Sequence, residues 1–293
     1  MVKNKWYVHP VIAVGVVVNI FVMALAILWK GDQSALWRLV VEDGIVEWMQ
    51  FLCFTVTAGM LGFLAVEQWQ RTPKINLQLL AFVGLTALVA LAALEEISWF
   101  QRILHIASPE YFLAHNRQSE TNLHNLAVGN ASLHKAVLLK VIAIVGLTHN
   151  IILPLLARKR PGIQRFVESF GLYLPPLSAS VIYIALVALS HLVIDHPRKG
   201  ELGEMFGAVH YMTTVFAAYY IGVGYGKPPV FEEPADSRRV STLFAMVVVF
   251  LLFTAWLMSA GAGAPQYMAS HPIVPGAAAD RPVDRDRYDT TFE

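Results

Sequence analysis

One cysteine, Cys53, excludes an intrachain disulfide and any paired-cysteine zinc motif. It lies inside an apolar run and reads as a small buried hydrophobe. Charge is also scarce: 15 % of the residues are Asp, Glu, Lys or Arg, against 56 % hydrophobic. That balance excludes an ordinary soluble enzyme and points to a polytopic membrane protein. Missing too are a Walker loop, GxGxxG, HExxH and the histidine boxes of membrane di-iron oxygenases, so no standard cofactor motif assigns a chemistry. Basic runs are short, which leaves nucleic-acid binding without support. Strand-like alternation is absent and argues against a β-barrel. No internal repeat and no separate soluble domain can be drawn.

What is present is a series of apolar runs, each about the 20 residues that cross hydrocarbon as a helix. The expectation is an all-α, polytopic membrane helical bundle of about seven transmembrane helices. The runs are Pro10–Trp29, Ile45–Val66, Leu77–Glu95, Ala136–Ala157, Leu172–Ile194, Met205–Tyr225 and Leu243–Ala262. Residues 1–264 form one helical domain. Residues 265–293 turn to Pro, Ala, Asp and Arg, and read as an extended or disordered exterior tail.

Lys3 and Lys5 precede the first run, and Arg71, Lys74, Arg158-Lys159-Arg160, Arg165, Lys227 and Arg238-Arg239 follow alternate ones. The positive-inside rule makes these segments cytoplasmic, with the N-terminus inside and the C-terminus outside. Ala24-Leu25-Ala26 mimics a signal-peptide cleavage site, but the apolar stretch is long for that, so an uncleaved anchor is expected. Between the runs, Ser34–Val41 suits an interfacial helix. Ser108-Pro109-Glu110 reads as a helix start, and Ser119–Leu126 as a further short helix.

The acids and histidines then collect at one membrane face, where ionisable groups at the hydrocarbon edge tend to mark function. Glu42, Asp43 and Glu47 begin the second span, and Glu95-Glu96 end the third. His191, Asp195 and His196 end the fifth, and Glu201, Glu204 and His210 lead into the sixth. Helical spacing puts Glu95, Ser98 and Arg102 on one face, and pairs Glu120 with His124 and His191 with Asp195. Either pair could supply adjacent metal ligands or a carboxylate that orients an imidazole. Against this stand blander readings: an ion pair for Glu95 and Arg102, a satisfied core histidine for His210, and a helix cap for His191–Asp195. His149 reads as structural, and Lys140 as snorkelling or as a counter-ion.

The strings Glu95-Glu96-Ile97-Ser98-Trp99, Gln101-Arg102 and Glu120-Thr121-Asn122-Leu123-His124-Asn125 resemble a group of uncharacterised bacterial multi-span inner-membrane proteins. That group often carries Gly where Phe100 stands here. The resemblance spans about 30 residues and implies a bacterial inner-membrane location without an activity. Seven spans with acids and histidines at one face are also similar to alkaline ceramidase-type hydrolases. The last span here lacks the HxxxH pair of those enzymes, so the likeness is one of architecture.

Three functions follow as expectations. The first is an outer-face enzyme, a metal-assisted hydrolase or transferase acting on a lipid or lipid-linked substrate. A divalent ion, zinc by preference, would sit on Glu96, His124, His191 and His210, with Glu95 or Glu120 as general base. Ser98 joins this catalytic set, and Arg102 would hold an anionic group. The second is an accessory subunit of a larger membrane complex, with protein partners. The third is a proton-coupled transporter using Glu47, Glu95 and Lys140.

Overall fold

The computed structural model describes residues 8–41, 44–104, 106–232 and 234–261. Residues 265–293, the expected tail, and the acids Glu42 and Asp43 lie outside the described residues. Helix α1, Pro10–Leu28, starts with proline at its first position and with the His9 ring accepting from the Val11 N–H. Asp32 caps the short α2, Gln33–Val40, through the Ala35 N–H at 3.0 Å. Leu36, Leu39 and Val40 of α2 are fully buried, so this expected interfacial segment is anchored in the core.

The long α3, Ile45–Arg71, turns back through residues 72–76 into α4, Leu77–Glu96, which Asn76 caps at 2.8 Å. Gly62 faces Thr86 across this hairpin and lets the two backbones approach closely. After α4 come α5, Gln101–Leu104, and α6, Glu110–His115. A two-stranded antiparallel ribbon follows, β1 Ala127–Val128 and β2 Ala131–Ser132. Residues 134–159 are one helical rod in which α7, Leu139–Leu147, and α8, Leu153–Lys159, are separated by a π-helical turn at Thr148–Ile152.

The short α9, Pro161–Ser169, leads through Pro175-Pro176 into α10, Leu177–Val193. Then come α11, Gly200–Val215, extended by a π turn at Phe216–Tyr220, and α12, Pro234–Gly261. Helix α11 is the axis of the bundle. Leu202, Met205, Phe206, Val209 and Met212 are completely buried, and α1, α3 and α10 pack around them. Gly15 of α1 permits that packing, since a Cβ there would stand 2.7 Å from Thr213.

Among the described residues, five helical segments are long and apolar enough to cross a membrane: Pro10–Leu28, Ser34–Arg71, Leu77–Glu96, His134–Lys159 and Asp236–Trp256. Helix α10 is apolar but has only 17 residues, and α11 carries Glu201 and Glu204 in its first turns. Because the chain reverses at each connection, Glu96, His134, Val193 and Gly200 share one loop-rich end. Arg71, Lys159 and Tyr220 lie at the opposite, basic end.

Candidate functional site

The site grows from an unusual turn at the loop-rich end. Helix α4 stops at Glu96, and Ser98, Trp99 and Phe100 have φ of 46°, 57° and 61°. Three successive residues in the left-handed region are costly for L-amino acids, on the order of 1–2 kcal/mol each, so their surroundings must hold them there. Ser98 donates to Glu120 Oε2 at 2.5 Å and accepts from Asn122 Nδ2 at 2.9 Å. Trp99 Nε1 donates to Glu95 Oε1 at 2.8 Å. The Phe100 ring packs edge-on against Phe51 of α3, with centroids 5.8 Å apart.

This turn overturns the expected helical face of Glu95, Ser98 and Arg102, because no helix runs through it. Glu95 points to the downstream loop, and Ser98 turns inward. The Arg102 side chain lies outside the described residues. Residues 119–126 do not form a helix either. Asparagines build an irregular lattice in its place. Asn116 donates to the backbone and side-chain oxygens of Asn122 at 2.8 and 2.9 Å and accepts from the Gln118 N–H at 2.8 Å. Gln101 reaches across to the Thr121 N–H at 2.7 Å. Ser108 donates to the Ser119 carbonyl at 2.6 Å rather than capping α6.

That lattice lays the loop over Glu95. Its Oε2 accepts from the Leu123 N–H at 2.6 Å, from the His124 N–H at 3.0 Å, and from His124 Nδ1 at 3.3 Å. His124 Nε2 in turn lies 2.9 Å from Asn125 Nδ2. The network thus places the ring proton on Nδ1, against the carboxylate. A second dyad stands beside the first. His134 Nε2 lies 3.2 Å from Glu204 Oε1, and the two imidazoles are 6.3 Å apart at near right angles. All four side chains keep partial exposure: 29 % for His124, 12 % for Glu95, 19 % for His134 and 35 % for Glu204. Ser98 and Glu120, at 1 % and 3 %, are sealed.

Beneath the dyads, Glu96 accepts from Gln50 Nε2 at 3.0 Å. It also feels the charges of Glu47 on α3 and of Glu201 and Glu204 on α11. Three helix ends therefore bring carboxylates to one place, with Arg198 and His124 within electrostatic reach of Glu204.

The expected metal set is not gathered. His210 lies deep in the bundle, donating to Asn150 Oδ1 at 2.9 Å and stacking on Tyr183 at 4.7 Å. Asn150 also binds Ser180 and Tyr211, at 3.1 and 2.7 Å, so the core-histidine reading of His210 describes its place. His191 is exposed and its Nδ1 returns to the Val187 carbonyl at 3.0 Å. Helix α10 ends before Asp195, which breaks the expected i, i+4 pair. His149 is bound to the Tyr173 carbonyl at 2.9 Å, in line with a structural role. Among the described residues no three His, Cys, Asp or Glu side chains converge to hold a metal ion.

Sequence reasoning missed His134. It sits two residues before the apolar run drawn from Ala136, and its partner Glu204 is 70 positions away, so no local spacing links them. Asn116 was missed because asparagine carries no periodic signal, and Asn122 was singled out only as part of the Glu120–Asn125 string, without a partner. Comparison with family models, curated proteins and solved structures found no match, so the reading of this site rests on its own geometry.

Proposed function

We propose that the chain is a seven-span protein of a bacterial inner membrane and an enzyme of acid–base type at its outer face, acting on a lipid or lipid-linked substrate. The single observation that carries this reading is the pair of carboxylate–imidazole dyads, Glu95–His124 and Glu204–His134, whose rings lie edge-on with centroids 6.3 Å apart. A carboxylate on one ring nitrogen fixes the tautomer and frees the other nitrogen for proton exchange. His124, oriented by Glu95, takes a proton from water or a substrate hydroxyl once the Asn125 amide yields its place. His134, backed by Glu204, returns a proton to the leaving group. Hydrolysis or group transfer at an ester-like centre follows from this pairing.

Ser98 and Glu120 act as positioning residues, since they are sealed beneath the loop and hold its left-handed turn. Glu96, held by Gln50, lies among Glu47, Glu201 and Glu204 next to the dyads. The zinc expectation would need ligands beyond His124 and His134, since no three His, Cys, Asp or Glu side chains gather for it among the described residues.

The test is turnover of a total bacterial lipid extract by purified protein in nanodiscs, followed by mass spectrometry. Wild-type protein is expected to convert at least one lipid class, and His124→Ala to lose at least about a hundredfold in rate. Equal lipid profiles with and without protein would overturn the reading. Elemental analysis of the same preparation tests the zinc expectation.

The accessory-subunit reading has one observation in its favour. Only 6 % of the apolar window in 134–159 is buried within the chain, which leaves a long face for lipid or a partner helix. A partner that co-purifies stoichiometrically, together with no lipid turnover, would favour that reading.

A further inference from the structure

At the basic end, remote from the dyads, the α3–α4 hairpin and the segment after α11 enclose a half-open cavity of about 160 Å³. It has room for roughly five water molecules, or for a small polar headgroup. Its walls are of two kinds. Leu64, Phe82 and Val230 form an apolar side, while Arg71, Gln78 and Lys227 form a cationic and amide rim. Arg71 and Leu77 are also where α3 ends and α4 begins, so the rim stands at the level where apolar helices leave the hydrocarbon.

Lys227 differs from a surface lysine in how it is engaged. Lys227 Nζ donates to the neutral Gln78 Oε1 at 2.6 Å, and Gln78 is tied in turn to the Tyr225 hydroxyl at 3.3 Å. The nearby carboxylate Glu168, on α9, is engaged by the Gly226 N–H at 2.8 Å and by Gln164 at 2.5 Å. Partial burial lowers the Lys227 pKa, with the charge of Glu168 opposing. Arg71 is 58 % exposed and pairs with Glu67 at 3.3 Å, one helical turn back. A preformed ammonium held by an amide beside an exposed guanidinium is a donor set for an oxyanion with several acceptors.

We infer that this cavity binds the phosphate ester headgroup of an amphiphile, with Lys227 and Arg71 on the phosphate and the apolar wall under the first methylenes of the tail. The Glu67 carboxylate then sits beside the headgroup substituent, which favours a phosphodiester carrying an amine. The phosphate chemistry is shared by membrane phospholipids and by soluble glycerophosphate, and the experiment separates them.

Full-length protein is purified in a mild detergent, and native mass spectrometry counts bound phospholipid in the wild type and in Lys227→Gln/Arg71→Gln. Thermal unfolding is followed in parallel with added phosphatidylethanolamine or with glycerophosphate. One retained phospholipid in the wild type, reduced at least about tenfold in a double variant that elutes and melts normally, supports the site. Stabilisation of lipid-free wild type by glycerophosphate as strongly as by the lipid would assign the site to the soluble ester. Equal lipid retention in wild type and variant, or no stabilisation by either compound, would overturn it. If the double variant does not fold, Lys227→Gln alone serves, since the replacement amide keeps a polar contact with Gln78. This site and the acid–base cleft fail independently, because the first is read by binding and the second by turnover.

Discussion

His124 and His134 face each other at 6.3 Å, and each has its own glutamate, from different helices. The backbone also joins them, through the His134 N–H and the His124 carbonyl at 2.8 Å. The loop that carries His124 is thus stitched to the start of the 134–159 rod, and the backbones that position the two rings are tied together. Removing one carboxylate should therefore disturb both dyads.

Ser98→Ala removes the donor to Glu120 and the acceptor for Asn122 in a sealed pocket. Leaving those buried groups unmatched should cost about 1–3 kcal/mol. Thermal unfolding in nanodiscs checks this, and an unchanged midpoint would mean that the Ser98–Glu120 contact does not hold the turn.

Phe100 occupies a backbone conformation that glycine adopts freely. Phe100→Gly relieves about 1 kcal/mol of left-handed cost but loses a comparable aromatic contact with Phe51. The substitution should be close to neutral, whereas Phe100→Val, with its branched Cβ, should destabilise by about 2 kcal/mol or more. Equal melting of the two variants would contradict the strained turn.

Asn150→Leu removes the shared partner of His210, Ser180 and Tyr211 inside the bundle. Interhelical hydrogen bonds are worth about 0.6 to 1.7 kcal/mol each, so a loss of about 2–3 kcal/mol is expected. Chemical denaturation in mixed micelles reads it. A loss below about half a kilocalorie per mole would show that the junction is dispensable.

His196 links folding to pH at the loop-rich end. Its ring is buried against Trp37, and its Nδ1 accepts from the Arg198 N–H at 3.1 Å. Burial, and then the charge of Arg198, push its pKa below the ordinary histidine value. The unfolded chain therefore binds the proton more readily. The neutral ring's contribution is complete above about pH 6.5 and is lost as pH falls through the folded value. Melting midpoints measured from about pH 8 to about pH 5 should fall less steeply in His196→Phe than in wild type. Parallel curves would remove His196 from the pH response.

The helices were legible because apolar run length is a local property. Five of the seven runs became helical segments long and apolar enough to cross a membrane. The run ending at Ile194 gave the shorter α10, since Pro175-Pro176 delays its start to Leu177. The neighbourhood of the site was also legible, as charge at the ends of apolar runs. Its internal pairing was not. Helical spacing assumes a continuing helix, and the left-handed turn at Ser98–Phe100 breaks that assumption one residue after Ile97. Glu120 and His124, four residues apart, consequently serve different partners, Ser98 and Glu95. His134 and Glu204 meet only through tertiary packing.

The most direct test of the central claim is a double-mutant cycle between His124 and His134 on the rate of lipid turnover. Residues that act as one unit are grossly non-additive, so His124→Ala/His134→Ala should be scarcely slower than the more damaging single variant. Losses that multiply, so that the double variant falls by the product of the two single effects, would contradict a shared site.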